Sequence, residues 1–342
     1  MSDQTHIPPH IPVMLNEAMA FLKLRDGGTY VDGTFGRGGY SRAILEAANT
    51  NVIAIDRDPA ALQEAQKFSA IYGPRFTIIP GKFSNMREML AGRGIMAVDG
   101  VVLDLGVSSP QIDDGARGFS FSKNGPLDMR MDPTTGMSAR DAVNTLAANA
   151  LEEIIGELGE ERRARKVAAA IIAARALAPI ETTLQLAEIV RRAVPRAADG
   201  IDSATRTFQG LRLYVNDELG ELERALSAAE HLLLPGGRLV CVSFHSLEDR
   251  IVKNFIRARS GTAAAPSRHM PAVVQNTAPT FTVLSRSALP PSPQESRANP
   301  RSRSARLRAA ERTVGSPFPA IAETSAPRGG KDPKQKAKVR RP

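Results

Sequence analysis

Cysteine is all but missing from this chain of 342 residues: Cys241 stands alone. An intramolecular disulfide and a cysteine-rich zinc site are thereby excluded, and no metal is expected. Long apolar runs are missing as well. The longest uncharged one, Val167–Ala174, falls far short of the ~20 residues a membrane span requires. The first residues do not show the charged-then-apolar layout of a signal peptide, so a cytoplasmic location without membrane attachment is expected. What remains is a globular chain long enough for one large domain or two modest ones, burying ~75% of its surface without staples.

Net positive charge is confined to one end. The formal net charge is +9, yet residues 297–342 hold 13 Lys and Arg against 3 Asp and Glu, and the preceding 296 positions are almost balanced. Such an end either gathers counterion-release energy on a phosphate backbone or is a solvated tail. Residues 313–342, rich in Pro, Ala, Ser and Lys without periodicity, are expected to be a basic, disordered tail. In 305–309, Ala305, Leu307 and Ala309 alternate with Arg306 and Arg308, which predicts a one-sided strand with its arginines on the open face.

Short β-branched runs at Thr29–Asp32, Asn51–Asp56, Phe76–Pro80 and Val101–Asp104 are separated by helix-length segments, the spacing of βαβ units in a parallel sheet. The first helix is expected near Tyr40, with Ala43, Ile44 and Ala47 inward; the second follows Asp58, with Pro59 suited to its first turn. The alternation halts at Arg117, and 139–194 reads as purely helical. Phe208, Leu211, Val215, Leu219, Leu222, Leu226, Ala229 and Leu233 recur at spacings of three and four, which predicts one helix over 205–233, roughly 40 Å long. Strand signals return at Arg238–Phe244, and a helix is expected at Leu247–Arg259. A Ser/Ala/Pro-rich stretch, expected as a mobile loop, then runs to Pro279; Phe281–Leu284 and Ala305–Ala309 would close the sheet as an antiparallel pair. The expected organisation is a sheet domain from 1–116 and 218–312, an inserted helical substrate-recognition domain at 117–217, and the tail.

Three nucleotide-site signatures are missing. After the first strand comes Asp32-Gly33-Thr34-Phe35-Gly36-Arg37-Gly38-Gly39-Tyr40, whose glycines let backbone approach a ligand, but no G-x-G-x-x-G is present and no G-K-[ST] follows. Asp32 would repel pyrophosphate and attract a cationic, sulfonium-bearing amino acid, which favours S-adenosylmethionine over NAD or ATP. Asp56, 20 residues past Gly36, is placed to accept hydrogen bonds from ribose hydroxyls. Methyltransferases of nucleobase amines often carry Asp/Asn-Pro-Pro-aromatic after the fourth strand, and here the corner reads Asp104-Leu-Gly-Val-Ser-Ser-Pro-Gln111 instead. Asp104 is the best catalytic candidate at this corner, with Ser108 and Ser109 nearby. Ser243, His245 and Asp249 invite a hydrolase triad, but no nucleophile elbow surrounds them, and His245 is preferred as a pocket-wall or RNA-contact residue.

These residues resemble the RsmH (MraW) family of 16S rRNA (cytosine-N(4))-methyltransferases. The resemblance covers about 6–312: His10-Ile-Pro-Val-Met, DGTFGRGGYS from Asp32, AIDRDP from Ala54, LDLGVSSPQIDD from Leu103, RGFSF from Arg117, GPLDMRMD from Gly125, TRTFQGLRLYVNDEL from Thr205, SFHSLEDRIVK from Ser243 and NPRSRSARLRAAER from Asn299. It implies a Rossmann-like class I S-adenosylmethionine-dependent methyltransferase fold of the α/β class with an inserted all-helical domain. It further implies methyl transfer to N(4) of a cytidine in the decoding region of 16S rRNA, within the small ribosomal subunit, and admits a homodimer. Cofactor contacts carry over to Gly38, Gly39, Tyr40, Asp56, Phe83, Asp104 and Gln111; where this chain has Tyr40 the family commonly has His. The competing readings are the same chemistry on another RNA or DNA, and a non-enzymatic rRNA-binding assembly factor. Arg162, Arg165 and Lys166 gather on one face of an inserted helix, as a solvated face or a phosphate contact.

Overall fold

The computed structural model describes residues 12–195, 200, 202–261 and 278–321. His10, most of the Ser/Ala/Pro-rich stretch and the basic segment 322–342 lie outside them. Two compact units emerge. One joins the segments up to Gly106 and from Glu221 onward, and the other is Val107–Gly220, against the 117–217 expected.

In chain order, α1 (Leu15–Leu22), β1 (Thr29–Asp32), α2 (Gly39–Ala47), β2 (Asn51–Asp56), α3 (Pro59–Tyr72), β3 (Phe76–Pro80), α4 (Met86–Ala91) and β4 (Val98–Asp104) build the first half of the sheet unit. The helical unit follows with α5 (Ser109–Asp113), α6 (Ala139–Thr145), α7 (Ala148–Glu153), α8 (Ala164–Arg175), α9 (Thr183–Ala193) and α10 (Ala204–Val215). The chain then runs through α11 (Glu218–Leu232), β5 (Leu233–Ser243), α12 (Ser246–Arg259), β6 (Phe281–Val283), α13 (Pro293–Ala298) and β7 (Arg306–Arg312).

The seven strands lie in the order β3-β2-β1-β4-β5-β7-β6, the first five mutually parallel and β7 running antiparallel to both its neighbours, β5 and β6. Because successive side chains of a strand point to opposite faces, the near-continuous apolar runs serve two cores at once. Val31, Ile53, Ile55, Ile79, Val101, Leu103 and Cys241 pack with α4, α11 and α12 on one face. Tyr30, Val52, Ala54, Val102, Val240 and Leu307 pack with α1, α2 and α3 on the other. The reversal of strand order between β1 and β4 opens a crevice at their carboxyl ends, where ligands of such sheets bind.

Several expectations are corrected. In α2 the inward positions are Tyr40, Ser41, Ile44 and Leu45, and Ala47 is exposed. β4 begins at Val98, three residues early; Asp99 and Gly100 had masked it, and Gly100 is there because an added Cβ would lie 2.7 Å from the Tyr30 ring. The arginines of β7 do not face outward, since Arg308 makes a two-pronged ion pair with Asp249 of α12 at 2.7 and 3.0 Å. Residues 313–321 are no tail: the Phe318 ring lies under Arg259, and its amide donates to the fully buried Glu230 at 3.4 Å.

The single helix expected over 205–233 is two. Asp217 takes a left-handed φ of 48°, and α11 restarts at Glu218, whose carboxylate pairs with Arg212 at 2.8 Å. The break is held by Asn216, whose amide donates to Met129 O (2.7 Å) and Arg212 O (2.9 Å) while its oxygen accepts from Met131 N (2.8 Å). An apolar period continues through the break, so periodicity alone could not reveal it. Asn216 is buried, and its removal would leave carbonyl and amide groups without their partner. Asn216→Ala should therefore cost about 2–3 kcal/mol in urea unfolding of the whole chain; a loss below about 0.5 kcal/mol would show that the break holds without it.

Candidate active site

The crevice edge is lined by carboxylates, because β1, β2 and β4 each end on an aspartate: Asp32, Asp56 and Asp104. Asp32 is 1% exposed and accepts from Thr34 N (3.2 Å), Ser41 N (3.1 Å) and Ser41 Oγ (2.7 Å), so it ties the glycine loop to the start of α2. Asp56 accepts from Gly36 N and Asp58 N, both at 2.8 Å, one on each oxygen. A third backbone hydrogen bond, from Arg57, also reaches this carboxylate, and a carboxylate has about four lone-pair sites, so room remains for a hydroxyl donor. Asp104 differs. Its backbone amide donates to Thr34 Oγ1 at 2.7 Å, but its Oδ1 is buried without any hydrogen-bond partner.

Burial is the first cause of the shifted acidities here. It pushes the Asp32 carboxyl up to about 6 against the hydrogen bonds from Ser41 and Thr34, with the charge of Asp56 adding to it. Burial also raises Asp56, opposed by the amides of Asp58 and Gly36. Asp104 is raised well above the carboxylate range by burial, then by the charges of Asp32 and Glu248. Among the described residues, no cation contributes to the acidity of any of the three. A site of this kind favours a cationic ligand, whose charge would let the carboxylates ionise.

The loop is shaped for close approach. A Cβ on Gly33 would sit 2.5 Å from Leu103 and 3.4 Å from Phe83, and one on Gly38, at φ 72°, would lie 2.4 Å from the Phe68 ring. Gly38 gives α2 no side chain to cap it, and Asp32 takes only the Ser41 amide, so the amides of Gly39 and Tyr40 are left for an acceptor such as a carboxylate. Gly39 is pressed against Pro12, and Tyr40 is buried with its hydroxyl donating to Val13 O. The tyrosine thus fastens the segment before α1 and uses its polar end in doing so. Phe83 opens the turn after β3 and is half-buried against the core.

Gly38, Gly39, Tyr40, Asp56, Phe83 and Asp104 therefore gather in the sheet unit around the loop, β2, β3 and β4. Gln111 and Ser108 belong to the helical unit. There the Gln111 amide oxygen accepts from Ser108 N at 2.9 Å in a capping box at the start of α5, and Gln111 is buried. The Ser243, His245 and Asp249 set is no triad: Ser243 donates to Arg306 O, Asp249 is taken by Arg308, and His245 caps α12. Glu248 closes that cap, accepting from Phe244 N (2.8 Å) with its other oxygen 3.1 Å from His245 Nε2. Glu248 and Thr34 escaped the sequence reading. The first had a signal in its position three residues after His245, the spacing of a capping box.

The sequence matches known proteins along most of its length. The MraW methylase family model matches residues 8–313. The chain is 58% identical over 307 residues to the ribosomal RNA small subunit methyltransferase H of Paramagnetospirillum magneticum, covering 90% of this chain and 96% of that protein. It is 55% identical over 318 residues to the protein of the same name from Rhodospirillum rubrum, covering 92% and 96%, and 57% identical over 304 residues to that of Rhodospirillum centenum, covering 89% and 92%.

The buried Asp32 has a signature in stability. On raising the pH, the unfolded chain releases this proton near 3.8 while the folded one holds it to about 6, so the native state binds more protons in between and stability falls. Subtracting the melting profile of Asp32→Asn from that of the wild type should expose a decline between pH 4 and 6 that levels above it. A difference that stays flat across that window would refute the assignment.

Proposed function

Because the chain belongs to the MraW methylase family, we propose that it moves a methyl group from S-adenosyl-L-methionine to N(4) of a cytidine in the 16S rRNA of the small ribosomal subunit. The observation that carries the reading is Asp104: among the described residues its buried carboxyl oxygen has no hydrogen-bond partner and no cation contributes at its corner of three carboxylates. An isolated buried carboxylate costs several kcal/mol, so its retention points to a partner that arrives with the ligand.

The residues suit this cofactor. Asp56, at the end of β2, would take the ribose hydroxyls, Phe83 the adenine face, and the Gly39 and Tyr40 amides of α2 the amino-acid carboxylate. Asp32 and Asp104 supply negative charge for the ammonium and sulfonium. When bound, the cofactor supplies an activated methyl group on a sulfonium leaving group. The exocyclic amine of cytosine is a weak nucleophile, its lone pair delocalised into the ring, so the protein's task is in-line placement and an acceptor for the amine N–H. Asp104 is that acceptor: its Oδ1 takes the hydrogen bond, and the proton if one is released there. No strong base is demanded, because the amine sheds a proton readily once methylated. The target cytidine has to leave its stack to reach the corner.

Tyr40 supports a backbone role for this position. Its side chain is spent on Val13, so the amide alone remains for the cofactor, and the family's imidazole is dispensable. The finer elements, the N(4) atom, the assembled subunit as substrate and a homodimer, form part of the same proposal.

Mass mapping of 16S rRNA from a strain lacking the gene should show one cytidine losing 14 Da, restored by the wild-type gene and not by Asp104→Ala. An unchanged rRNA would refute the substrate. In calorimetry, Asp56→Ala should weaken cofactor binding about 10- to 100-fold, as expected for losing hydrogen bonds to a charged acceptor. Equal affinities would remove Asp56 from the ribose.

A further inference from the structure

The helical unit keeps nearly all its cations occupied. Arg130 is paired with Asp128, Arg140 with Asp141 and Glu181, Arg191 with Asp202, Arg192 with Glu188, Arg206 with Glu161 and Arg212 with Glu218. Arg117, Lys123 and Arg175 donate to backbone carbonyls. Among its described residues only Arg162, Arg163, Arg165 and Lys166 are left, four cations within five positions, all exposed and none with a side-chain hydrogen bond or ion pair.

Their mounting is rigid. The buried face of α8 is Ala164, Val167, Ala168 and Ile171, so Arg165 and Lys166 point away from it. Just before them, Glu161 is turned inward, accepting from Arg163 N at 2.8 Å and facing Arg206 at 3.8 Å. Gly159 is locked in place, since an added Cβ would lie 2.4 Å from Arg206 O. Glu161, the acid next to the patch, is thus drawn into the fold, while Glu157 and Glu160 are exposed.

This arrangement costs stability. Like charges three and four residues apart repel, and cations at the start of a helix oppose its dipole, each by a few tenths of a kcal/mol. A solvated face has no need to concentrate unpaired charge against both effects, whereas a polyanion repays them by counterion release. Three of the four are arginines, whose planar fork matches phosphate oxygens.

We propose that Arg162, Arg163, Arg165 and Lys166 form a docking surface for the phosphodiester backbone of the rRNA substrate. This rests on the rRNA reading given above. The surface grips RNA without reading its sequence, as contacts to phosphate do.

The test is the full chain carrying Arg162→Gln, Arg163→Gln, Arg165→Gln and Lys166→Gln together, glutamine being a comparable helix former. Binding of a 16S rRNA transcript is measured from 50 to 200 mM salt, alongside cofactor calorimetry and a thermal melt. Four lost contacts should make the slope of log affinity against log salt shallower by about three, with cofactor affinity and melting unchanged. The Arg→Lys triple at 162, 163 and 165 should keep the wild-type slope, which separates charge from folding. An unchanged slope in the Gln variant overturns the proposal, as does lost binding to anionic phosphatidylglycerol vesicles with RNA binding intact, which would make the patch a lipid contact. Methylation of the cytidine in the wild-type strain reports on the function separately, so the patch can fail while that reading stands.

Discussion

Desolvation of carboxylates governs the sheet unit. A parallel sheet forces its strands to end side by side, and three neighbouring ends carry aspartate. Two of these are held by the backbone they organise: Asp32 gathers Thr34 and Ser41, and Asp56 gathers Gly36 and Asp58, so the glycine loop is folded around negative charge. The third, Asp104, is held through its own amide by Thr34, which leaves its carboxyl group oriented but unsatisfied. Loop shape and raised acidity are thus one fact seen two ways. The phenylalanine cluster of Phe35, Phe68 and Phe76 makes the loop stiff enough to bear this strain, because it packs Phe35 beneath the turn at ring distances of 5.2 and 5.6 Å.

The parts of this design that depend on local chemistry were legible in the sequence. Strand ends, the glycine spacing, the acid at Asp56 and the Asp58-Pro59 helix start all follow from short-range rules, and each stands where those rules put it. What escaped was set by distant partners. The helix break at Asp217 is decided by Asn216 reaching Met129 and Met131, more than eighty residues away in sequence. The outward arginine of β7 is claimed by Asp249, and residues 313–321 by Glu230. Tyr40 and Gln111 show a further limit. Motif matching marked both positions, but only the structure shows that one side chain is engaged with Val13 and the other with the cap of α5.

The two units handle charge in opposite ways. Among the described residues, the sheet unit buries acids at its crevice with no cation contributing to their acidity, and the helical unit engages most of its cations and leaves three arginines and a lysine exposed together. Both departures run against stability. Interior packing, by contrast, is conventional on both faces of the sheet.

Cys241 lies near the carboxyl end of β5, fully enclosed between β4 and β7, with burial pushing its thiol up to about 12. At neutral pH its thiolate population is negligible and its sulfur is out of reach. The chain therefore behaves toward maleimides and similar reagents as though it were cysteine-free. A single cysteine introduced on the surface can carry a fluorophore or spin label stoichiometrically, with the native residue left in place, which opens both units to distance measurements in solution.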